Sequence, residues 1–342
     1  MTPPLHRLTA AVTRRLGLLR DTLALRRAFR HLHGPAQVIL APDEVALVAL
    51  VKDAAWFLGP FLAHHQALGV AHVVLIDNGS TDATVDIARG FGRVTVLRNP
   101  LPAKRHEVAL RVMGARRVLR GGWVLFADAD EMAELPLGDL ATLARYANDQ
   151  GHTAVLGQMI DLFAPGPYAD HAGLDYRAAI DACRLWSARG LERIAYHDAA
   201  RVDFHWFLRG NTCDDPGVTF LQGGLRAEVF GETPFLSKHS MVRNVAGVDL
   251  MTHPHAASRV RVSDVTLALR HYKLAGDWRA RDRASVAAAT WDHAEDARRL
   301  LAAGDDHFVI APPEPLEWRG AGDVLDRGVL YASGRARGML GG

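Results

Sequence analysis

Two carboxylates stand two residues apart at the end of an apolar run in the sequence GGWVLFADADEMAEL, residues 121–135. They are Asp128 and Asp130, and if the run continues as a strand, their side chains point to the same side. Carboxylates about 4 Å apart repel each other by roughly 4 kcal/mol at an effective dielectric constant near 20. A divalent cation removes that repulsion, and Mg²⁺ or Mn²⁺ is held by one or two carboxylates together with phosphate oxygens. The triplet therefore indicates a metal site for a phosphate-bearing ligand, with a polar strand end before an acidic helix start as the structural alternative.

Two further pairs of polar residues follow apolar runs in the same way. Lys52 and Asp53 come after VALVALV, and Asp77 and Asn78 end the run that begins at residue 71. Gly79 follows at once and permits a tight turn. In sheets of parallel strands, ligands bind beyond the carboxyl ends of the strands. We therefore expect these side chains to border the same site as Asp128 and Asp130.

Alternating strands and helices position these residues. Four apolar segments are predicted to be strands and three amphipathic ones helices: strands at 45–51, 71–82, 93–100 and 123–131, and helices at 54–70, 83–91 and 104–122. The strands are continuously apolar, which is typical of a mostly parallel sheet covered on both faces. Beyond residue 150 we predict strands at 152–163 and 266–274 and a helical segment at 277–304, whereas the last 38 residues show little periodicity.

Composition narrows the class of protein. The chain has 342 residues, 49% of them hydrophobic, so it can bury a large core. Its two cysteines, Cys183 and Cys213, exclude a disulfide scaffold and suit a reducing compartment, and we expect a cytoplasmic protein.

Residues 1–36 contain seven Arg and one acidic residue, Asp21, in a pattern typical of a basic amphipathic helix. Such a helix predicts either a solvated face or peripheral contact with the inner face of an anionic membrane.

Several motifs together resemble one enzyme family. The sequence from ALVKDAAWFL to IDNGSTDAT, followed by WVLFADADE, is similar to bacterial members of glycosyltransferase family 2 over residues 45–135. Weaker similarity continues in GGLRAEVFG (223–231), LSKHSMV (236–242) and LRHYK (269–273). The chain departs from the family pattern at Ala54, where an acidic residue is usual.

The resemblance implies a fold, a donor and a metal. The implied fold is α/β of the GT-A (Rossmann-like) type, with a mostly parallel central sheet flanked by helices and a helical C-terminal extension. The implied donor is a UDP- or GDP-sugar, and the implied metal is Mn²⁺ or Mg²⁺. By position in the motifs, the nucleotide would contact Lys52, Asp53, Asp77, Asn78 and Asp128. The metal ligands would be Asp128, Asp130 and, since such enzymes often use a late histidine, His271.

An inverting transfer also needs a carboxylate that takes the proton of the acceptor hydroxyl. Our candidates are Glu228 and Asp161, with a solvated charge and a strand-end cap as the structural alternatives. His271 has a core histidine as its alternative role. His253 and His255 form a second possible metal pair, which the intervening proline makes less favourable, and we expect His64 and His65 to be structural or to face the acceptor.

The sequence thus predicts three regions: a basic N-terminal helix at 1–36, a catalytic core at 37–245, and a segment at 246–342 that completes the site. The acceptor is expected to be a glycan or a lipid-linked glycan.

Two alternatives remain: a catalytically inactive module that binds nucleotide-sugars or glycans, and a nucleotidyltransferase, although no Gly-rich phosphate loop follows the first strand. The Arg-rich leader lacks interleaved aromatic residues, and we expect no nucleic-acid partner.

Overall fold

The computed structural model describes residues 22–288 and 295–341. In this part of the chain the first nine strands are β1 (Arg30–His33), β2 (Val38–Ile39), β3 (Val45–Val51), β4 (His72–Asp77), β5 (Val94–Arg98), β6 (Leu119–Arg120), β7 (Trp123–Phe126), β8 (Glu131–Glu134) and β9 (Ala154–Asp161). The later strands are β10 (Leu185–Trp186), β11 (Leu191–Ala195), β12 (Thr219–Gly223), β13 (Ser237–Arg243), β14 (Asp249–His253), β15 (Ala256–Ser258), β16 (Val262–His271) and β17 (Leu316–Glu317).

Helices occur throughout the same part of the chain. They are α1 (described over 22–28), α2 (Ala55–Ala67), α3 (Thr84–Arg89), α4 (Ala103–Val118), α5 (Leu140–Asp149), α6 (Ala169–Ala172), α7 (Tyr176–Ala182), α8 (Leu225–Phe230), α9 (Trp278–Ala288), α10 (Glu295–Ala303), α11 (Ala321–Asp326) and α12 (Gly334–Leu340). A short 3₁₀ helix lies at His205–Leu208.

A nine-stranded sheet with the order β1-β5-β4-β3-β7-β13-β9-β16-β8 is the centre of the fold. Strands β5, β4, β3 and β7 are parallel to one another. Beyond β7, strand β13 is antiparallel to both of its neighbours, β16 runs parallel to β9, and β8 closes the edge antiparallel to β16. The predicted α/β class with a helix-flanked central sheet is confirmed, with its parallel core in the first half of the chain.

Burial on both faces explains the continuous apolar runs. Alternate residues of β3 enter two different cores: Val45 and Leu47 pack with α2 residues such as Phe61, whereas Ala46 and Val48 pack with α4 residues such as Leu110. A strand covered by a helix on each side has no polar face to present, so it reads as unbroken Val, Leu and Ala.

The path of the chain after β7 brings the acidic residues 128–131 to the far edge of the sheet. Strand β7 ends at Phe126, opposite Val48, and residues 127–130 carry the chain across the sheet to β8. There His271 of β16 pairs with Glu131 on one side and with Asp161 of β9 on the other. This crossover brings the acidic sequence beside a histidine far along the chain.

The structure differs from the sequence predictions in several elements. Asp128 and Asp130 lie in the crossover and not on a strand, so the alternation of side chains along a strand does not position them. Helices α11 and α12 occupy the C-terminal stretch for which no periodicity was found. The predicted helical segment at 277–304 consists of α9 and α10, and residues 289–294 lie outside the described residues.

Both predicted region boundaries fall within the span of the central sheet. Strand β1 precedes residue 37 and β16 follows residue 245, yet both belong to the nine-stranded sheet.

Residues 1–21 of the predicted basic helix lie outside the described residues. Among the helices that are described, none has the length and apolar character to span a bilayer.

Candidate functional site

A cavity of about 440 Å³ opens at the edge where the crossover runs. One part of its wall is charged, and the other is apolar and aromatic. The charged residues include Arg111, Asp128, Glu131, Arg226, Lys238 and His271, and the apolar and aromatic ones include Phe204, Phe235, Met251, His253 and His255. Such a mixture of an apolar surface with a few polar groups is typical of small-molecule sites.

Asp128 is held at this cavity by two cations. Arg111 of α4 donates a short hydrogen bond to Asp128 Oδ1, and Lys238 Nζ lies 3.2 Å from Asp128 Oδ2. Burial alone would raise the pKa of the Asp128 carboxyl, but the charges of Arg111 and Lys238 hold it far below its usual range. Asp128 is therefore an anion whose charge is already neutralised by protein side chains.

Glu131 and Lys238 form a buried ion pair beside Asp128. Lys238 Nζ lies 2.7 Å from Glu131 Oε1, and the backbone N–H of Asp128 donates to Glu131 Oε2 at 2.9 Å. Both side chains are almost fully buried. Burial raises the pKa of Glu131, because the charged form is poorly solvated there. This pair fixes the backbone at the start of the crossover.

Asp130 and His271 face each other, as the predicted metal pair requires. His271 Nε2 lies 3.6 Å from Asp130 Oδ2, and His271 Nδ1 lies 2.6 Å from Asp161 Oδ1. Burial would lower the pKa of His271, but the nearby carboxylates of Asp130 and Asp161, the latter hydrogen-bonded to the ring, raise it to about 9. In the metal-free protein the ring is therefore an imidazolium between two carboxylates.

The two predicted bases lie outside the cavity wall. Both oxygens of Asp161 are engaged, Oδ1 by His271 and Oδ2 by Arg226 Nε at 3.0 Å. Glu228 Oε1 pairs with Arg189 Nε at 2.9 Å. The residue of α8 that reaches the cavity is Arg226, two positions before Glu228.

The four predicted nucleotide-binding residues of β3 and β4 cluster at the ends of these strands. Val51 pairs with Asp77, so the residues that follow each strand are neighbours. Asp53 adopts a left-handed φ of 47°, accepts hydrogen bonds from the backbone N–H and hydroxyl of Thr81, and donates its own N–H to Ser80. Lys52 is exposed.

Asp77 and Asn78 are buried within this cluster. Asp77 Oδ1 accepts from the backbone N–H of Ser80 at 2.9 Å, whereas Asp77 Oδ2 has no hydrogen-bond partner and lies 3.5 Å from Arg98 Nε. The Asn78 amide donates to the carbonyls of Asn99 and Leu101, both at 2.7 Å. An incompletely satisfied buried carboxylate at a strand end is a candidate acceptor for a ligand N–H or hydroxyl. None of the four residues borders the cavity.

The unusual Ala54 has a structural reason. Its side chain is 3% exposed and packs in the core beside α2, and its backbone N–H donates to Thr84 Oγ1 at 2.7 Å. An uncompensated carboxylate at this position would be buried in an apolar environment.

The remaining histidines divide between cavity and core. His253 and His255 border the cavity, and the ring of His253 stacks on Phe204 with a centroid distance of 4.7 Å. His64 and His65 contact the backbone of Ala133 in β8, a contact that suits the structural one of the two roles expected for them.

A divalent cation fits this geometry in part. Among the described residues, no group of three or more His, Cys, Asp or Glu side chains is arranged as a ready metal site. Asp130 and His271 nevertheless form a suitable pair, since the carboxylate on His271 Nδ1 is the usual partner of a metal-binding imidazole. Phosphate oxygens of a donor would supply further ligands. Asp128, the third predicted ligand, is instead engaged by Arg111 and Lys238.

Sequence reasoning missed Arg111 and Lys238, although both lie in segments that it used. Lys238 belongs to LSKHSMV, one of the weaker blocks of similarity, and Arg111 lies on the predicted helix at 104–122. The contact of these cations with Asp128 gives no signal in a single sequence, because Asp128 lies 17 residues from Arg111 and 110 residues from Lys238.

The similarity of this chain to curated proteins and solved structures is distant. No curated protein matches the chain. Among solved structures, the chain is similar to glucosyl-3-phosphoglycerate synthase from Mycobacterium tuberculosis, solved with Mn²⁺, UDP and glucosyl-3-phosphoglycerate. The identity is 18% and the TM-score 0.23, over 38% of this chain and 50% of that protein, so this chain spans half of the synthase and no residue role is transferred from it.

A family model gives the more direct match. The model described as glycosyl transferase family 2 matches residues 63–189, a range that contains Asp77, Asn78, Asp128, Asp130 and Asp161. The resemblance inferred from the motifs is thereby confirmed for this range, because residues 63–189 match the model of glycosyl transferase family 2.

Proposed function

We propose that this chain is a metal-dependent glycosyltransferase that moves a sugar from a UDP- or GDP-sugar to a glycan or lipid-linked glycan, with inversion at the anomeric carbon. The observation that carries the proposal is the alignment of Asp130, His271 and Asp161 at the end of the sheet, beside a cavity of about 440 Å³. The family match over residues 63–189 supports the reaction class.

In this proposal Asp130 and His271 hold Mn²⁺ or Mg²⁺, which when bound stabilises the negative charge on the leaving diphosphate. Asp161 keeps His271 Nε2 turned toward Asp130 by accepting the hydrogen bond from Nδ1. Asp128 holds Arg111 and Lys238 at the cavity wall. Lys52, Asp53, Asp77 and Asn78 lie outside the cavity wall, so in this proposal the nucleoside part of the donor extends beyond the cavity to the ends of β3 and β4.

For the general base we propose Asp203, in place of Glu228 and Asp161. Five carboxylates border the cavity: Glu107, Asp128, Glu131, Asp203 and Glu295. Four of them lie within ion-pair distance of Arg111, Lys238 or Arg226, with Asp128 and Glu131 directly hydrogen-bonded and Glu295 at 3.9 Å. Asp203 has no ion pair within the described residues, so its oxygens are free to accept the proton of an acceptor hydroxyl.

We further propose that the protein acts in the cytoplasm and contacts the inner face of the membrane through residues 1–36. The seven Arg of this segment, against a single Asp, support attraction to anionic lipids. Such contact would bring the enzyme to a lipid-linked acceptor.

Release of nucleoside diphosphate tests the proposed function. The full chain is incubated with a panel of UDP- and GDP-sugars, with and without Mn²⁺, and both product release and thermal unfolding are followed. We expect Mn²⁺-dependent release to water with one base, and a higher Tm with the matching diphosphate plus Mn²⁺. Asp130→Ala should abolish release, whereas the control Asp198→Asn should not change it, because the Asp198 carboxylate caps its own turn by accepting from the Ala200 N–H. Stabilisation without release would indicate a binding module, and neither effect with any donor would refute the proposal.

A further inference from the structure

A continuous series of buried ion pairs leads from His271 to the helices α9 and α10. His271 binds Asp161, Asp161 binds Arg226, and Arg226 Nη1 lies 3.1 Å from Glu232 Oε2. Arg299 Nη1 of α10 then lies 3.3 Å from Glu232 Oε1, an ion-pair contact that lacks the geometry of a hydrogen bond. We call this set of five residues the buried relay: His271, Asp161, Arg226, Glu232 and Arg299.

Arg299 fixes the far end of the buried relay to both helices. Its Nε lies 2.8 Å from Asp282 Oδ2 on α9, and its Nη2 lies 2.8 Å from Asp296 Oδ1 on α10. Arg299 is fully buried, so its charge is compensated by these carboxylates and Glu232 and not by water. The position of Glu232 therefore depends on where α9 and α10 hold Arg299.

All five members of the buried relay are less than one tenth exposed. Arg226 lies between Asp161 and Glu232, and Arg299 lies between Glu232 and the carboxylates of Asp282 and Asp296, so each arginine has a carboxylate on either side. In such a low-dielectric environment, loss of one partner leaves its neighbour as an uncompensated buried charge. The neighbour then moves or recruits another partner, and the disturbance passes to the next member.

We propose that Arg226 and Arg299 are positioning residues that hold the His271 ring in its metal-binding orientation through Glu232 and Asp161. The α9 and α10 pair is thereby a structural part of the metal site, although neither helix supplies a ligand. This inference rests on the proposed function, because it takes Asp130 and His271 as the metal ligands.

The affinity for Mn²⁺ tests this inference without an activity measurement. Free Mn²⁺ is measured by electron paramagnetic resonance while the full chain with UDP is titrated. We expect about 10- to 100-fold weaker binding for Asp161→Asn, the range typical for partners of a metal-binding histidine. The loss should be smaller but at least about threefold for Arg226→Lys, Glu232→Gln and Arg299→Lys.

Arg279→Lys is the matched control. Arg279 is a buried arginine of α9 that also pairs with an aspartate, Asp306, and with backbone carbonyls that follow α10, but these partners do not lead to His271. Its Mn²⁺ affinity should equal that of the wild type. Thermal unfolding of every variant identifies any that no longer folds, and Glu232→Gln retains the shape of the side chain if Arg299→Lys does not fold.

The outcomes separate this inference from the proposed function. If the wild type binds Mn²⁺ and the folded variants Glu232→Gln and Arg299→Lys bind it with the same affinity, this inference is wrong but the proposed function still stands. Equal losses in these variants and in Arg279→Lys also overturn it, because the effect would then be general. If the wild type binds no Mn²⁺ in the presence of UDP, the inference fails together with the proposed metal site.

Discussion

Lys238 Nζ lies 2.7 Å from Glu131 Oε1, and the two side chains are buried side by side at the cavity wall. The pair joins β13 to the start of β8, two strands that are not neighbours in the sheet. It therefore ties the crossover to the centre of the fold. Because Lys238 also contacts Asp128, one ammonium group compensates two carboxylates.

Lys238→Met should destabilise the protein by about 3–5 kcal/mol, the usual result of removing one partner of a buried pair. Urea unfolding followed by circular dichroism measures the loss. Glu131→Gln combined with Lys238→Met should be more stable than Lys238→Met alone, because no charge of Glu131 then remains uncompensated. A double variant as unstable as the single one would contradict this account of the pair.

The two carboxylates of the acidic triplet should behave differently when each is changed to an amide. Asp130→Asn should weaken Mn²⁺ binding at least tenfold. Asp128→Asn should change it less than about threefold but cost about 1 kcal/mol of stability, because it weakens two ion pairs whose Asp128 end is partly exposed to solvent. Mn²⁺ titration and urea unfolding of both variants measure these effects. Equal losses of Mn²⁺ affinity would show that Asp128 is a ligand after all.

Asp203→Asn should lower the rate of donor turnover by about 10²- to 10⁴-fold, the range for loss of a general base. Binding of the nucleoside diphosphate with Mn²⁺ should stay unchanged, since Asp203 is not among the proposed donor contacts. Added formate should restore part of the rate to Asp203→Ala, which leaves room for a small carboxylate. Asp203 would be excluded as the base if Asp203→Asn turned over the donor at the wild-type rate. It would also be excluded if formate did not restore the rate of Asp203→Ala and this variant no longer bound the nucleoside diphosphate. Asp198→Asn is the matched control from the same loop.

The sequence predicts those elements of the fold that depend on residues close to one another along the chain. Strands β3, β4 and β5 and helices α2 and α4 were predicted from apolar periodicity, which is a local property. Helices α11 and α12 have only six and seven residues, and less than two full turns of helix give no visible period. The start of α12 is also fixed by a cap, because Ser333 accepts a hydrogen bond from the Ala336 N–H. Such a cap stabilises a helix without any pattern of apolar residues, so a search for apolar periodicity does not detect it.

The site shows the same dependence on distance. The sequence predicted that polar residues would gather at the strand ends, and it identified Asp130 and His271, which the structure brings together. It did not predict that the chain would leave the sheet after Phe126, because no local pattern marks a crossover. In α8 it chose Glu228, but a helix turns by about 100° per residue. Glu228 therefore points away from Arg226 and pairs with Arg189.

Acid should destabilise the protein through His65. This fully buried ring contacts the Phe61 carbonyl through Nδ1 and the Ala133 N–H through Nε2, which suits the neutral form. Burial, helped by the charge of His64, lowers its pKa from 6.5 to about 3.

The stabilising effect of neutral His65 is fully present above pH 6.5 and is lost as the pH falls toward 3, because only the unfolded chain takes up a proton in this range. The free energy of unfolding should fall by up to about 1.4 kcal/mol per pH unit from this residue. In His65→Leu the slope between pH 6.5 and 4 should be shallower by that amount, as measured by urea unfolding. His31→Gln, on the exposed edge strand, should retain the wild-type slope, and an equally steep slope in His65→Leu would contradict the prediction.

Membrane contact through the leader can be tested without damage to the sheet. Because Arg30–His33 pairs with β5, a deletion to residue 36 would remove an edge strand, whereas a chain that begins at Thr22 keeps it. Residues 1–21 contain four of the arginines, each worth about 1 kcal/mol at an anionic surface. The shortened chain should therefore bind vesicles that contain phosphatidylglycerol at least tenfold more weakly than the full chain, as measured by sedimentation. Pure phosphatidylcholine vesicles should bind neither chain, and equal binding of both chains to the anionic vesicles would rule out the leader as the contact.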